Sequence, residues 1–363
     1  MIVSECCDTI VPMKLDTKRL QETIRTILAP GKGILAADES SGTIKKRFDS
    51  IGLESTEENR RDYRNLLFTA RGYEQWISGI ILYDETVDQK DDSGRTFSER
   101  IASQGIVPGI KTDEGMEEHP HFLPNKITRG LKGLAKRLAS YTERSNGTLG
   151  FTKWRQVVLV EPKASQAFLD YSMHVMAEQA AQALAAGYVP INEPEILMDG
   201  GHTMEQCAET TERTLKTLFQ KLAEHGVDPA LTILKTNMVL SGKDVKKDAP
   251  DHVARATLKV FQNALPKSLP GIVFLSGGQS SLQSTENLQA CSAEAKRLKV
   301  PWTLSFSYGR ALQDDALKTW KGSSANIPLA QAAFLKRAKM NGLAQLGKYD
   351  AGMEKEAREV LKV

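Results

Sequence analysis

Short apolar segments rich in β-branched residues alternate along the chain with longer segments of helical periodicity. The apolar segments run continuously instead of alternating with polar residues, which is typical of strands that are covered on both faces. This pattern predicts eight strands, over Gly33–Ala37, Ile77–Tyr83, Ile106–Lys111, Trp154–Val160, Val189–Asn192, Thr232–Lys235, Gly271–Leu275 and Trp302–Phe306.

Helical signals fall between the predicted strands. Ser55 and Glu58 form one capping-box pattern, and Thr203 and Gln206 form another, so each pair predicts the beginning of a helix. Gly187 follows a run of apolar residues at spacings of three and four, and it predicts the C-terminal cap of a further helix. Strands and helices are therefore expected to alternate through the chain.

This alternation predicts an α/β protein, a single (β/α)8 TIM barrel. One domain is expected over residues 1–363, with its core at about 18–349 and extensions at 1–17 and 350–363. An extra helix is expected at the N-terminus over about Lys18–Leu28, and a C-terminal helix over Glu354–Val363. A doubly wound open sheet is the alternative, but its Gly-rich phosphate loop follows the first strand, whereas Gly31-Lys32-Gly33 stands before the apolar run here.

Composition bears on the partners and the compartment. The chain carries 48 basic and 45 acidic side chains, a net charge of +3, so neither nucleic acid nor an anionic membrane is expected as the main partner. Cys6, Cys7, Cys207 and Cys291 show no metal-ligand or redox spacing, which favours free thiols in a reducing compartment. No apolar run approaches a membrane span and no signal-peptide pattern opens the chain, so a cytoplasmic protein is expected.

Lys235 lies within the apolar run Leu231–Leu240, at the predicted end of a buried strand. Burial disfavours the ammonium form of a lysine, and the neutral amine can attack a carbonyl carbon to form a Schiff base. The alternative is a lysine that extends to the surface or pairs with a carboxylate. Schiff-base chemistry is the first hypothesis for Lys235, and the residue taken alone leaves the plainer alternative open.

Other charged residues stand near the predicted strand ends, where barrels gather their functional groups. Lys153 could supply positive charge that keeps a neighbouring lysine neutral. Glu193 is a candidate for shuttling protons during carbinolamine formation and dehydration. Asp38 is a candidate base at a substrate hydroxyl. Together these residue types predict cleavage of a carbon–carbon bond by a retro-aldol reaction.

Two groups of residues predict anion binding. The turns Ser276–Gly278 and Gly309–Arg310 offer backbone N–H donors after the last two strands, where barrels often bind phosphate. Lys46 and Arg47, with Ser40 and Lys111, form a second basic cluster for a phosphate at the other end of a substrate. Each group has a plainer explanation, a solvated helix face for Lys46 and Arg47 and a strand terminator for the Ser-Gly-Gly turn.

Six segments of the chain resemble the class I fructose-1,6-bisphosphate aldolases. They are Gly31–Ser40, Thr56–Arg60, Lys153–Arg155, Glu193–Leu197, Phe274–Ser280 and Phe306–Leu312. The likeness extends from about residue 18 to residue 349, with the segments in the family's order and at near-family spacing. It implies a (β/α)8 barrel without a metal or another cofactor, a homotetramer, and phosphorylated sugars as substrates in glycolysis and gluconeogenesis.

The resemblance also implies roles for individual residues. Lys235 would attack the C2 carbonyl of the ketose, Glu193 and Lys153 would assist imine formation, and Asp38 would take the proton of the C4 hydroxyl. Glu195 would support the charges around the lysines. The 1-phosphate site would contain Ser276, Gly277, Gly309 and Arg310, and the opposite phosphate and the substrate chain would contact Ser40, Thr43, Lys46, Arg47, Lys111 and Arg155.

Three departures from the family pattern carry expectations of their own. Thr236 follows Lys235 where the family usually has proline, which loosens the backbone there. Asn192 stands where an apolar residue is usual, and is expected to add a polar group to the barrel interior. The last tyrosine is Tyr349, whereas many relatives end in a tyrosine that assists proton exchange on the enamine. Another acid or water is therefore expected to protonate the enamine, with a changed substrate preference.

Three alternatives remain beside this prediction. A related Schiff-base aldolase would use the same residues on sedoheptulose 1,7-bisphosphate or fructose 1-phosphate. A metal-dependent aldolase needs clustered histidines at strand ends. A non-catalytic scaffold on the same fold would be expected to lack chemical residues that are all present here. The six histidines that do not cluster at the predicted strand ends are His119, His121, His174, His202, His225 and His252.

Overall fold

Ten strands are present in the computed structural model, which describes residues 15–354. Eight of them are parallel and close into a barrel, in the order β1-β10-β9-β8-β7-β6-β3-β2. The other two, β4 and β5, form a small antiparallel hairpin. The strands are β1 Gly33–Ala37, β2 Ile77–Leu82, β3 Val107–Lys111, β4 Met116–Glu118, β5 Lys126–Thr128, β6 Phe151–Val158, β7 Val189–Ile196, β8 Ile233–Thr236, β9 Gly271–Phe274 and β10 Thr303–Tyr308. The predicted (β/α)8 TIM barrel is confirmed.

Helices connect the barrel strands and pack around them. They are α1 Thr17–Ile27, α2 Ser41–Asp49, α3 Glu57–Phe68, α4 Asp84–Asp88, α5 Phe97–Ala102, α6 Leu134–Arg144, α7 Gln166–Ala185, α8 Met204–Glu224, α9 Pro250–Ala264, α10 Ser281–Leu298, α11 Arg310–Trp320 and α12 Ile327–Gln345. The extra N-terminal helix predicted over about Lys18–Leu28 is therefore α1. The helix predicted over Glu354–Val363 lies, beyond its first residue, outside the described residues.

The predicted capping boxes have different outcomes. At α8, both halves of the predicted box are present, because Thr203 accepts from the backbone of Gln206 and Gln206 accepts in return. At α3 the prediction of Ser55 was wrong by one residue. The cap is Thr56, whose hydroxyl oxygen accepts from the backbone N–H of Asn59 at 3.1 Å. Ser55 instead offers its carbonyl to a guanidinium.

Three barrel strands, β6, β7 and β10, are longer than predicted, and the first two carry candidate residues. β6 begins at Phe151, so Lys153 lies within the strand instead of flanking it, and β7 continues through Glu193 to Ile196. These two strands pair along their whole length. The apolar pattern ended early at Asn192 because the upper interior of the barrel is polar, so hydrophobicity underestimates the extent of these strands.

The lower end of the barrel is closed by packing between strands. The ring of Phe151 lies against Gly79 and Gly109, and a Cβ atom on Gly109 would stand 2.3 Å from that ring. The absent side chains therefore make room for the aromatic ring, and the open space lies at the opposite, C-terminal end of the strands. Among residues 15–354, no helix is both long enough and apolar enough to cross a membrane.

The cysteines divide between the described residues and the rest of the chain. Cys207 and Cys291 are buried free thiols. Burial raises the pKa of Cys207 to about 11, so the thiol is protonated near neutral pH. Cys6 and Cys7 lie outside the described residues. The two described cysteines therefore behave as small apolar residues of the core.

Candidate active site

A cavity of about 970 Å³ opens at the C-terminal ends of the barrel strands. Every candidate residue of the sequence analysis lines it, although the residues come from segments far apart in the chain. They are Asp38, Ser40, Thr43, Lys46, Arg47, Lys111, Lys153, Arg155, Glu193, Glu195, Lys235, Ser276, Gly277, Gly309 and Arg310. Barrel closure thus gathers them at one mouth.

A chain of ion pairs crosses the floor of this cavity. Lys153 Nζ lies 3.0 Å from Asp38 Oδ2 and 2.7 Å from Glu193 Oε2. The other oxygen of Glu193 lies 3.0 Å from Lys235 Nζ. The side chains of both lysines and of Glu193 are about 95% buried. Glu193 therefore connects the two amines directly, and Lys153 connects Glu193 with Asp38.

Opposed effects set the protonation states of these ion-paired side chains. Burial is the largest influence on Asp38 and would raise its pKa, but Lys153, followed by Lys235, opposes burial, and together they hold the pKa of Asp38 well below its usual range. The pKa of Glu193 is lowered in the same way, with burial opposed by Lys153, Lys235 and Arg155. For Lys153, burial is outweighed by the two carboxylates, and its pKa is raised. Both acids are thus carboxylates and Lys153 is a cation at neutral pH.

Strand alternation explains why these groups share the cavity. Lys153 and Arg155 are two residues apart on β6, and Glu193 and Glu195 are two residues apart on β7, so each pair faces the same side of its strand. Arg155 stands opposite Glu193 in the ladder. Its guanidinium bonds to the carboxylate of Glu195, so the two strands are joined above the lysines as well.

Gly277 gives the Ser276–Gly278 turn close access to this network. A Cβ atom at Gly277 would lie 3.2 Å from Glu195 Oε1 and 3.1 Å from a methyl group of Leu275. Gly278 adopts a φ of +77°, a conformation that side chains other than that of glycine rarely take. The turn can therefore present backbone N–H groups to the cavity without a side chain in the way.

The second group of anion-binding candidates is divided by the barrel. Arg47 lies beside Gly309, where a Cβ atom would stand 3.3 Å from its Nη2, next to the beginning of α11. Lys111 lies at the end of β3 and bonds to Asp113. Arg47 therefore adjoins the Gly309–Arg310 turn, and the cluster proposed from sequence is spread around the mouth.

Several residues of the cavity were missed by the sequence analysis. Glu39 is buried and lies 2.8 Å from Arg47 Nη1, and Gln313 donates to Glu39 Oε1 at 2.9 Å. Asp113 accepts from Lys111 and from the backbone N–H of Arg155. The position of Asp113 two residues after a strand-end lysine was a usable signal, whereas Gln313 sits inside a helix where nothing in the sequence marks it.

The expectation for Asn192 was wrong. Its side-chain oxygen accepts from Gln179 Nε2 of α7 at 2.8 Å, so it faces the helix layer and not the barrel interior. Alternation along β7 requires this, because Glu193 occupies the inward position next to it. Across residues 15–354, no group of three or more histidine, cysteine, aspartate or glutamate side chains is arranged to hold a metal ion.

Sequence comparison identifies relatives over nearly the whole chain. A family model described as fructose-bisphosphate aldolase class-I matches residues 19–362. Fructose-bisphosphate aldolase 1 of Toxoplasma gondii is 47% identical over 339 residues, which cover 92% of this chain and 92% of that protein. The fructose-bisphosphate aldolase of Dictyostelium discoideum is 47% identical over 332 residues, 90% of this chain and 91% of that protein.

A solved structure has the same fold. It is the fructose-bisphosphate aldolase of Plasmodium falciparum in a ternary crystal with TRAP and a small-molecule inhibitor, and it superposes with a TM-score of 0.89 at 40% identity, covering 95% of this chain and 99% of that chain. Sequence and structure therefore agree over the barrel and over the segments that form the cavity. This chain belongs to the class I fructose-bisphosphate aldolase family.

Proposed function

We propose that this chain cleaves fructose 1,6-bisphosphate reversibly to dihydroxyacetone phosphate and glyceraldehyde 3-phosphate through a Schiff base on Lys235. The observation that carries the proposal is the buried chain of groups from Lys235 through Glu193 and Lys153 to Asp38. A buried lysine bonded to a carboxylate that can exchange protons with it suits imine formation.

The proposed chemistry begins at the ketose carbonyl. Lys235 Nζ attacks C2, a proton passes to the carbonyl oxygen, and loss of water through Glu193 gives the imine. Lys153 stabilises the carboxylates during these transfers. Asp38 then takes the proton of the C4 hydroxyl, the C3–C4 bond breaks, and its electron pair moves into the imine to form an enamine. Protonation of the enamine carbon and hydrolysis of the imine release the second product.

The substrate phosphates are assigned to two groups of residues around the mouth, which adjoin each other where Arg47 lies beside Gly309. Ser276, Gly277, Gly309 and Arg310 bind the phosphate at C1, where backbone N–H groups and the N-terminus of α11 face the cavity. The opposite phosphate and the substrate chain contact Ser40, Thr43, Lys46, Arg47, Lys111 and Arg155. Glu195 holds Arg155 and so supports this second group. The cationic side chains of the two groups match the negative charge of two phosphate groups on one sugar.

A trapping experiment tests the proposal. The protein is incubated with dihydroxyacetone phosphate in EDTA, reduced with borohydride and mapped by peptide mass spectrometry, and we expect one stable adduct, on Lys235. Lys235→Met should abolish the adduct and the cleavage activity. Lys163→Met, which changes an exposed lysine, should leave both unchanged. Activity without any adduct on Lys235, or activity lost on adding EDTA, would refute the imine mechanism.

Assembly and location are further parts of the proposal. We infer one barrel domain per chain and a homotetramer in the cytoplasm, acting in glycolysis and gluconeogenesis. The resemblance to the family supports the assembly. A cytosolic relative from Arabidopsis thaliana at 45% identity supports the location, although a relative from Chlamydomonas reinhardtii is chloroplastic. Sedimentation equilibrium should give four times the 40.0 kDa chain mass, and a monomer mass would contradict the tetramer.

A further inference from the structure

One face of helix α11 carries three charged residues into the rim of the cavity. Arg310, Asp314 and Lys318 are spaced by four residues, so they share a face of the helix, and all three line the cavity. Two of them are cations beside a site proposed for phosphate. Asp314 is the exception on this helix face, because it places a carboxylate between two cations.

Contacts between α11 and the first barrel strand fix the position of Asp314. The neighbouring Gln313 is fully buried and donates to the carbonyl of Ala36 at 2.6 Å and to Glu39 Oε1 at 2.9 Å. Glu39 in turn holds Arg47 at 2.8 Å. The helix segment that bears Asp314 is therefore anchored to Glu39, which is the ion-pair partner of Arg47, and Asp314 and Arg47 line the same cavity.

The charges around Asp314 show which cation it influences. Burial, the largest effect, raises the pKa of Asp314, and Arg47 is the strongest of the cations that oppose it, ahead of Lys318 and Arg310. Arg47 nevertheless forms its ion pair with Glu39. Asp314 is thus a second carboxylate lining the same cavity as the Arg47 guanidinium, which already pairs with Glu39.

We propose that Asp314 is a specificity-determining residue that weakens the binding of a phosphate group at Arg47. This inference rests on the proposed function, in which Arg47 contacts the phosphate opposite C1. A phosphate on Arg47 would bring negative charge towards a carboxylate that no substrate group neutralises, and like charges in a partly buried site repel appreciably. Fructose 1,6-bisphosphate carries that phosphate, and fructose 1-phosphate does not. Asp314 therefore reduces the factor by which the enzyme prefers fructose 1,6-bisphosphate to fructose 1-phosphate.

The test compares two sugars in one variant. Asp314→Asn keeps the shape of the side chain and removes its charge, and kcat/KM is measured for fructose 1,6-bisphosphate and for fructose 1-phosphate. We expect kcat/KM for fructose 1,6-bisphosphate, divided by kcat/KM for fructose 1-phosphate, to rise about threefold to tenfold. The rise should come mainly from a lower KM for the bisphosphate. The increase should shrink at high ionic strength, because salt screens a partly exposed charge.

Matched variants separate this charge effect from a structural one. Asp315→Asn makes the same change one residue along the helix, at an exposed side chain outside this cavity, and should leave the ratio unchanged. Asp314→Glu restores the charge and should return the ratio towards that of the wild type. Inorganic phosphate, used as a competitive inhibitor, should bind more tightly to Asp314→Asn and to Asp314→Ser than to the wild type.

An unchanged ratio in Asp314→Asn, or an equal change in Asp315→Asn, would overturn the inference. So would phosphate inhibition that is the same in wild type and in both neutral variants. These results are distinct from failure of the proposed function, which would appear as a wild-type protein that cleaves neither sugar or forms no adduct on Lys235.

Discussion

At the scale of single residues, Lys153 is the cation on which the cavity floor depends. It contacts two buried carboxylates, Asp38 and Glu193, and it contributes the largest favourable charge to each of them. Burial alone would raise the pKa of both acids. The residue proposed to assist imine chemistry thus also keeps two acids ionised in a poorly solvated site, so its loss is expected to affect stability as well as rate.

Replacing Lys153 by methionine should destabilise the fold by about 3–5 kcal/mol at pH 7.5, because two buried carboxylates lose their main partner. In the wild type, the lowered pKa values of Asp38 and Glu193 contribute stability that is present above their unfolded values and lost as pH falls through the folded ones. In Lys153→Met these pKa values rise, so the deficit should shrink at pH 5, where protonation relieves the charge. Urea unfolding midpoints at both pH values measure it.

The control for that experiment is an exposed lysine. Lys163 pairs with Glu209 on the surface, with both side chains 55% exposed, so Lys163→Met should change stability by less than about 1 kcal/mol at either pH. A deficit in Lys153→Met that is equally large at pH 7.5 and pH 5 would mean that packing, not charge, accounts for the loss.

At the scale of the element, the sequence predicted which segments form strands and helices better than where they begin. Continuous apolar runs identified all eight barrel strands, because each is covered on both faces. The same signal did not predict the part of β7 from Glu193 onwards, where the strand enters the polar cavity. It also could not show that the side chain of Asn192 faces a helix. The cap of α3 was ambiguous because Ser55 and Thr56 are adjacent and both are good caps.

Helix α3 supports the cavity through Arg64, whose guanidinium donates to the carbonyl of Glu39 at 3.1 Å. Substitution at its N-terminal cap therefore tests where α3 begins and how much the cap stabilises the helix that carries Arg64. Thr56→Ala removes the hydroxyl that accepts from Asn59 and should cost about 1 kcal/mol of stability. Ser55→Ala removes a hydroxyl oxygen that has no partner within the described chain and should cost less than about 0.5 kcal/mol.

Chemical denaturation of the two alanine variants under identical conditions gives the comparison. The equal removal of one hydroxyl makes each variant the control for the other. If Ser55→Ala proved the more damaging of the two, the cap would be at the residue that the sequence pattern favoured, and α3 would begin one residue earlier than described.

At the scale of the whole molecule, closure of the barrel creates relations that no local pattern contains. The first and last strands, β1 and β10, pair at Ile34 with Ser307 and at Leu35 with Tyr308. This seam brings Arg47, which follows β1, beside Gly309, which follows β10. Eight strands predicted a barrel and hence a shared mouth, but the side of the mouth on which each cation lies depends on packing across the seam.

The seam depends on the absence of a side chain at Gly33. A Cβ atom there would lie 2.6 Å from two ring carbons of Phe306, a fully buried side chain whose ring also packs against Tyr308. Gly33→Ala should therefore lower the free energy of unfolding by about 1–3 kcal/mol, as overpacking of a rigid core does. Gly201→Ala, where a Cβ atom meets nothing within 4 Å, is the control.

A double-mutant cycle tests whether that contact is the cause. Phe306→Leu removes the ring atoms that a side chain at position 33 would strike, so the double variant Gly33→Ala/Phe306→Leu should be more stable than the sum of the two single losses predicts, by about 1 kcal/mol or more. Denaturant midpoints of the four proteins give this coupling energy. Strictly additive losses would show that the seam tolerates the methyl group and that Gly33 is required for the backbone of β1 instead.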